Sequence, residues 1–136
     1  MYLRIDKGEE ILDSILLTCK KYEISSATFY GLEVCGEAVI GTYIPEKHDF
    51  LLHTKEGMLE LVSLMGNVTQ NTEIHAHAMF SYFDSESKDI KYFGEDLKEG
   101  DVLYTGEITI DPVKDGQISK VFNSNIGIDV WDFQEK

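Results

Sequence analysis

A chain of 136 residues is long enough to bury one substantial core and fits one domain. Its 25 acidic residues outnumber 12 basic ones, a formal net charge of -13, and such a surface repels phosphate backbones, whose nonspecific affinity comes largely from Lys and Arg displacing counterions. Direct nucleic-acid binding is therefore disfavoured, and the longest basic run, Lys20-Lys21, reads as a solvated helix end.

Tyr2 to Ile5 alternates weakly and predicts a short opening strand. Asp6 has the look of a helix N-cap, with Glu9 three residues later completing a capping box. The helix expected from about Lys7 to Tyr22 gathers Ile11, Leu12, Ile15, Leu16, Cys19 and Tyr22 on one arc, opposite Asp13, Ser14, Lys20 and Lys21. From Ser25 the texture turns to β. Strands are expected at Ala27 to Leu32, Glu37 to Ile44 and Asp49 to Thr54, punctuated by Pro45-Glu46-Lys47 and Lys55-Glu56-Gly57. These short connections imply antiparallel pairing. Met58 to Val68 is nearly apolar on both faces, which suits a central strand covered on both sides. One helix cannot cover both faces of such a sheet, so a second copy of the chain is the simplest cover for the other.

After a turn at Gln70-Asn71 comes the stretch Glu73-Ile74-His75-Ala76-His77-Ala78-Met79-Phe80, expected as a strand to about Phe83. In an extended strand His75 and His77 share one face while Ile74, Ala76, Ala78 and Phe80 share the other. Two residues of rise separate the imidazoles by roughly 7 Å at the backbone, a gap that ring nitrogens can close around one cation. Catalytic zinc usually takes three protein ligands, so a third must come from elsewhere. The competing reading is a pair of hydrogen-bonded core or interface histidines. Further on, Asp84 to Asp89 is turn-like, Tyr92 to Gly100 leads into a strand from Asp101 to Ile110, and Pro112 to Gly116 is a turn. Short strands follow at Ile118 to Phe122 and Ile128 to Phe133. His48 and His53 have no partner spacing and read as surface residues. The fold class is α+β, an antiparallel sheet of about seven or eight strands with one main flanking helix, and residues 1–136 read as a single domain.

Cys19 and Cys35 are the two cysteines; without CxxC spacing they read as buried thiols in a reducing cytoplasm. The charged N-terminus lacks the apolar core of a signal peptide, and no apolar run approaches the roughly 20 residues of a membrane span. A soluble, cytoplasmic protein with no membrane partner is expected.

The order of these features resembles the plants-and-prokaryotes-conserved (PPC) domain family, attached to AT-hook proteins in plants and standing alone in bacteria and archaea. The matching pieces are Arg4 to Glu10, Gly31-Leu32 followed by Gly36-Glu37-Ala38, Leu61 to Val68, His75 to Ala78, and Gly94 through Gly100. The resemblance implies an antiparallel sheet flanked by helices, assembled as a homotrimer. It also implies a third metal ligand where family members carry a Gly-Gly-His stretch. Here Gly94-Glu95-Asp96 stands in that place, so the ligand set becomes His75, His77 and Asp96, with Glu95 supplying the oxygen if the register is off by one. A cupin is the other antiparallel fold with a histidine-x-histidine strand, but it wants a glutamate shortly after the second histidine, where Ser81-Tyr82-Phe83 stands.

Two classes of function follow. The first is a site for a divalent metal, zinc or the iron of a two-histidine, one-carboxylate set, at or near a trimer interface and open to a small-molecule ligand. Around it Asn67, Glu73 and Glu95 are expected to orient ligands or substrate. The second is a noncatalytic oligomerisation and interaction module, or a DNA-associated regulator as in the AT-hook relatives. This chain has no Arg-Gly-Arg core of the kind an AT-hook inserts into the minor groove. Neither class establishes a reaction.

Overall fold

The computed structural model describes residues 1–70 and 72–135; Asn71, part of the turn expected before the histidine strand, lies outside them. Among the described residues the elements run β1 (Tyr2–Asp6), α1 (Ile11–Lys21), β2 (Ala27–Ile44), a 3-10 turn (Pro45–Lys47), β3 (Asp49–Thr69), β4 (Glu73–Asp84), β5 (Asp89–Pro112), β6 (Gly116–Asn123) and β7 (Ile128–Glu135). The predicted α+β class holds, with one α-helix and seven strands, all paired antiparallel.

The strand order is β1-β5-β2-β3-β4, and β4 also pairs with β5. β5 follows β4 from Asp89 to Asp96 and β2 from Asp96 to Pro112, so the hydrogen-bonded circuit closes on itself. Asp96 is the residue of handover, opposite His77 on one side and Gly41 on the other. Four long strands thus do the work expected of a larger number of short ones. Glu37 and Ala38 pair with Glu56 and Lys55, so β3 runs through the Lys55-Glu56-Gly57 segment expected as a turn. Gly57 absorbs the irregularity with φ 134°, a conformation that costs glycine little.

The helix begins later than its sequence suggests. Its N-cap is Glu10, whose carboxylate accepts from the Asp13 amide at 2.9 Å, and not Asp6, which closes β1. Half of the expected reciprocal pattern survives, since the Asp6 amide donates to Glu9 at 3.3 Å. Residues 8–10 are held by β5 instead: Gly8 N–H donates to the Val102 carbonyl, Val102 N–H to that of Glu9, and Glu10 bridges Asp101. Ile11, Leu12, Ile15 and Cys19 are buried as the arc predicts, whereas Tyr22 is exposed. They join Phe29, Leu59, Leu64, Val68, Phe80 and Ile110 in one core, where each large aliphatic side chain contributes about 1.5–3 kcal/mol.

The apolar run Met58 to Val68 resolves into two faces through a β-bulge. Pairing with β4 skips from Leu61 to Ser63, leaving Val62 extra. Before the bulge Leu59 and Leu61 point inward; after it Leu64 and Val68 do, which turns Ser63, Met65 and Asn67 outward. The outward face stays apolar across the sheet, with Met65, Tyr30, Thr109 and Tyr2 directly opposite one another in turn. Tyr2, Tyr30 and Met65 are all more than half exposed. β6 and β7 form a separate hairpin, tethered where Ile118 and Ser26 exchange hydrogen bonds at 2.9 and 3.2 Å.

Candidate metal centre

The alternation of β4 places Ala76, Ala78 and Phe80 in the core and leaves His75 and His77 exposed on the outward face. β3 supplies the neighbouring positions: Asn67 lies opposite His75 and Met65 opposite His77. On the other side of β4, the handover residue of β5 brings Asp96 directly opposite His77. Two glycines make this close approach possible. A Cβ at Gly94 would stand 2.1 Å from the Ala78 carbonyl oxygen, and one at Gly66 would stand 2.4 Å from that of His75. Any side chain there pushes β5 or β3 away from the histidine strand.

Both imidazoles aim at one oxygen. His75 Nε2 is 2.8 Å and His77 Nε2 3.1 Å from Asp96 Oδ1. The rings meet edge to face, with centroids 5.1 Å apart. One ligand atom from each of the three residues lies within 4.8 Å of the others. Three converging donors, two nitrogens and a carboxylate oxygen, suit a borderline divalent cation in place of the protons that imidazoles share with a carboxylate.

The three remaining predicted positions fare differently. Asn67 borders the same cleft. Glu73, two residues before His75, is drawn to Lys120 on the hairpin, with Oε2 3.4 Å from Nζ. Glu95 accepts a hydrogen bond from the Thr42 hydroxyl, which takes its carboxylate to the neighbouring strand β2. Side-chain alternation puts Asp96, and not Glu95, on the side of His77. A cleft of about 600 Å³ lies on the histidine side of the triad, bordered by His75 and His77 with Ser63, Met65, Asn67, Met79 and Glu95, while Asp96 stands outside its lining. Sequence reasoning missed Met65 and Met79 as wall residues; Met79 shares the parity of His75 and His77 on β4, whereas the bulge at Val62 conceals the outward parity of Met65.

A second titratable group escaped notice. Glu33 is buried, 6% exposed, and its Oε2 makes no hydrogen bond to any described residue. Its Oε1 accepts from the Cys35 thiol at 3.3 Å. Burial pushes the Glu33 carboxyl from its ordinary 4.5 up to about 8, because the charged form loses water without gaining a counterion. Cys35 is pushed up as well, by burial first and by the Glu33 charge next, and Glu10 is raised by burial against favourable backbone hydrogen bonds from Gly100, Asp13 and Leu12. Both cysteines are buried and free. No described helix is long and apolar enough to cross a membrane.

The antiparallel sheet with its single helix places the chain among small α+β proteins. A model of the Plants and Prokaryotes Conserved (PCC) domain matches residues 1–112, and the chain belongs to that family. A plant- and prokaryote-conserved (PPC) protein from Pyrococcus horikoshii is 30% identical, with a TM-score of 0.83 over 97% of this chain and 90% of that one. A metal-containing protein from Archaeoglobus fulgidus superposes with a TM-score of 0.81 at 22% identity, over 97% and 91% of the two chains. A presumptive DNA-binding protein from Ralstonia eutropha gives 0.81 at 20% identity, over 96% and 89%. The last two likenesses bear on the fold alone. No curated protein matches the chain.

Proposed function

We propose that this chain is a stand-alone PPC-domain protein that binds one divalent metal ion through His75, His77 and Asp96, zinc being the favoured ion, and that it works as a homotrimer. The observation that carries the reading is the convergence of both Nε2 atoms on Asp96 Oδ1. Two imidazoles and one carboxylate match catalytic zinc, and they leave a position open for water or a ligand. Bound there, the ion supplies Lewis acidity and lowers the pKa of coordinated water. The protein's own part is to hold the donors on rigid strands, with Asn67 beside His75 to orient them and Met65 and Met79 to keep the cleft partly dry. Glu73 and Glu95 act from further out, through Lys120 and Thr42. That the Archaeoglobus fulgidus neighbour is named metal-containing supports the reading.

The trimer reading is supported by the apolar outward face from Met65 to Tyr2, where Tyr2, Tyr30 and Met65 are all exposed, since contiguous exposed apolar surface marks interaction sites. Elemental analysis of untagged protein is expected to find one metal per chain, lost in the His75→Ala, His77→Ala double variant. Equal metal in that variant ends the metal reading. Sedimentation is expected to show three times the 15.5 kDa chain mass; a persistent monomer ends the trimer.

The same apolar face supports a second reading, an interaction module with no chemistry of its own. The name of the Ralstonia eutropha neighbour extends it to DNA-associated work, but a net charge of -13 places any DNA contact on a partner. Titration against duplex DNA should show no tight binding at physiological salt, and submicromolar affinity would overturn this.

A further inference from the structure

We propose that the cleft over the triad takes a small monocarboxylate with an apolar body, its head at the ion and its body across Met65 and Met79, and that Asp96 sets the preference for a single negative charge. This rests on the metal reading above. The polarity of the cleft is graded along the histidine strand. At the His75 end stand Asn67 and, one step further, Glu73 with its Lys120 partner. At the His77 end stand Met65, directly opposite on β3, and Met79, two residues on along the same face. His77 therefore has a thioether beside it and another beyond it, both accessible. Methionines are polarizable and adaptable, well suited to the face or edge of an aromatic or branched body. A volume of about 600 Å³ lies within the ordinary range for small-molecule sites.

Charge selects the head group. Metal ligands bind deprotonated, so two neutral imidazoles, one carboxylate and a divalent ion leave one unit of positive charge. A monoanion cancels it. A second negative charge finds no partner there: no Lys or Arg is among the described residues that border the cleft, and the chain as a whole carries -13. A neutral third donor in place of Asp96 would leave two positive units and shift the preference toward dianions. The position that closes the ligand set thus also chooses the charge of what binds.

The test uses the full chain loaded with Co(II), whose visible absorption reports both occupancy and ligand exchange. Benzoate is expected to shift the band saturably, phthalate to bind about tenfold more weakly, and neutral benzamide to leave the band unmoved. Asp96→His should raise the affinity for phthalate relative to benzoate by about tenfold or more. Met79→Glu, on the cleft wall and outside the Tyr2–Tyr30–Met65 face, should keep the band and weaken benzoate about tenfold, while Met58→Glu on the neighbouring strand changes neither. Failure of the wild type to take up Co(II) overturns the metal reading and this one together. A normal band that benzoate does not shift, a preference for phthalate in the wild type, or an unweakened Met79→Glu overturns the carboxylate proposal alone.

Discussion

Two carboxylates on the paired strands β2 and β5 meet opposite fates. Asp96 stands at the edge of the closed circuit, its Oδ1 facing two imidazole nitrogens at 2.8 and 3.1 Å. Glu33 lies inside, with only the Cys35 thiol as a partner and burial holding its proton up to about pH 8. Depth alone does not make the difference, since the Asp96 side chain is itself only 16% exposed. What differs is the company: Asp96 faces two imidazole nitrogens, and Glu33 has a single thiol hydrogen bond that does not offset its burial. The first is a place for a cation; the second is an acid kept neutral by the core.

The sharpest way to break this comparison is to exchange the two acids' consequences. Asp96→Ala is expected to weaken zinc binding by about a hundredfold or more, beyond the usual cost of losing an outer partner, whereas Glu33→Ala leaves the zinc titration unchanged. Equal effects in calorimetry would erase the distinction. Next in size is the pH dependence of stability. Because the folded-state value of Glu33 lies above the ordinary 4.5, the folded chain holds that proton more tightly between pH 4.5 and about 8. Stability present below pH 4.5 is lost as pH rises, and the loss is complete above about pH 8; the ceiling is about 5 kcal/mol. Glu33→Gln should flatten that slope in denaturant titrations run from pH 5 to 9, and an unaltered slope would remove Glu33 from the account.

A smaller effect tests how the strands place Asp96. Gly94→Ala forces β5 away from the Ala78 carbonyl, and zinc affinity is expected to fall about tenfold while the circular dichroism of the sheet persists. Affinity unchanged in that variant would show that the triad tolerates a wider strand spacing. The smallest effect belongs to a third acid, Asp6, whose exposed ion pair with Arg4 at 2.9 Å sits in solvent on the edge strand β1. Arg4→Ala should change stability by less than about 0.5 kcal/mol, as screened surface pairs do; a larger loss in thermal melts would mean that the pair is less exposed to solvent in solution.

The triad's geometry was legible to the extent that it depends on period two. His75 and His77 sharing a face follows from alternation alone, and Asp96 joining them needed a registration between β4 and β5 that the resemblance, not the local pattern, suggested. The helix arc Ile11, Leu12, Ile15 and Cys19 was likewise visible, but its starting point was not. Asp6 and Glu9 have the right spacing for a cap, and the distant strand β5, by bonding Gly8 and Glu9, holds this segment as a turn outside the helix. Long bent strands were hidden for the same reason. Lys55-Glu56-Gly57 carries turn chemistry, yet partners at Glu37 and Ala38 carry the ladder through it. Glu33 was missed because the expected strand stopped at Leu32, although the alternation from Ala27 and Phe29 to Cys35 runs on through it and puts its side chain inward.

The handover at Asp96 has one more consequence. Where β5 leaves one neighbour for another, its backbone is shared between two ladders, and a circuit of strands opens first where its closure is thinnest. A cation held by His75 and His77 from β4 and Asp96 from β5 would rivet that joint from outside. Occupancy would then be felt as rigidity along the seam, and amide exchange at residues 94–97 would slow when the ion arrives.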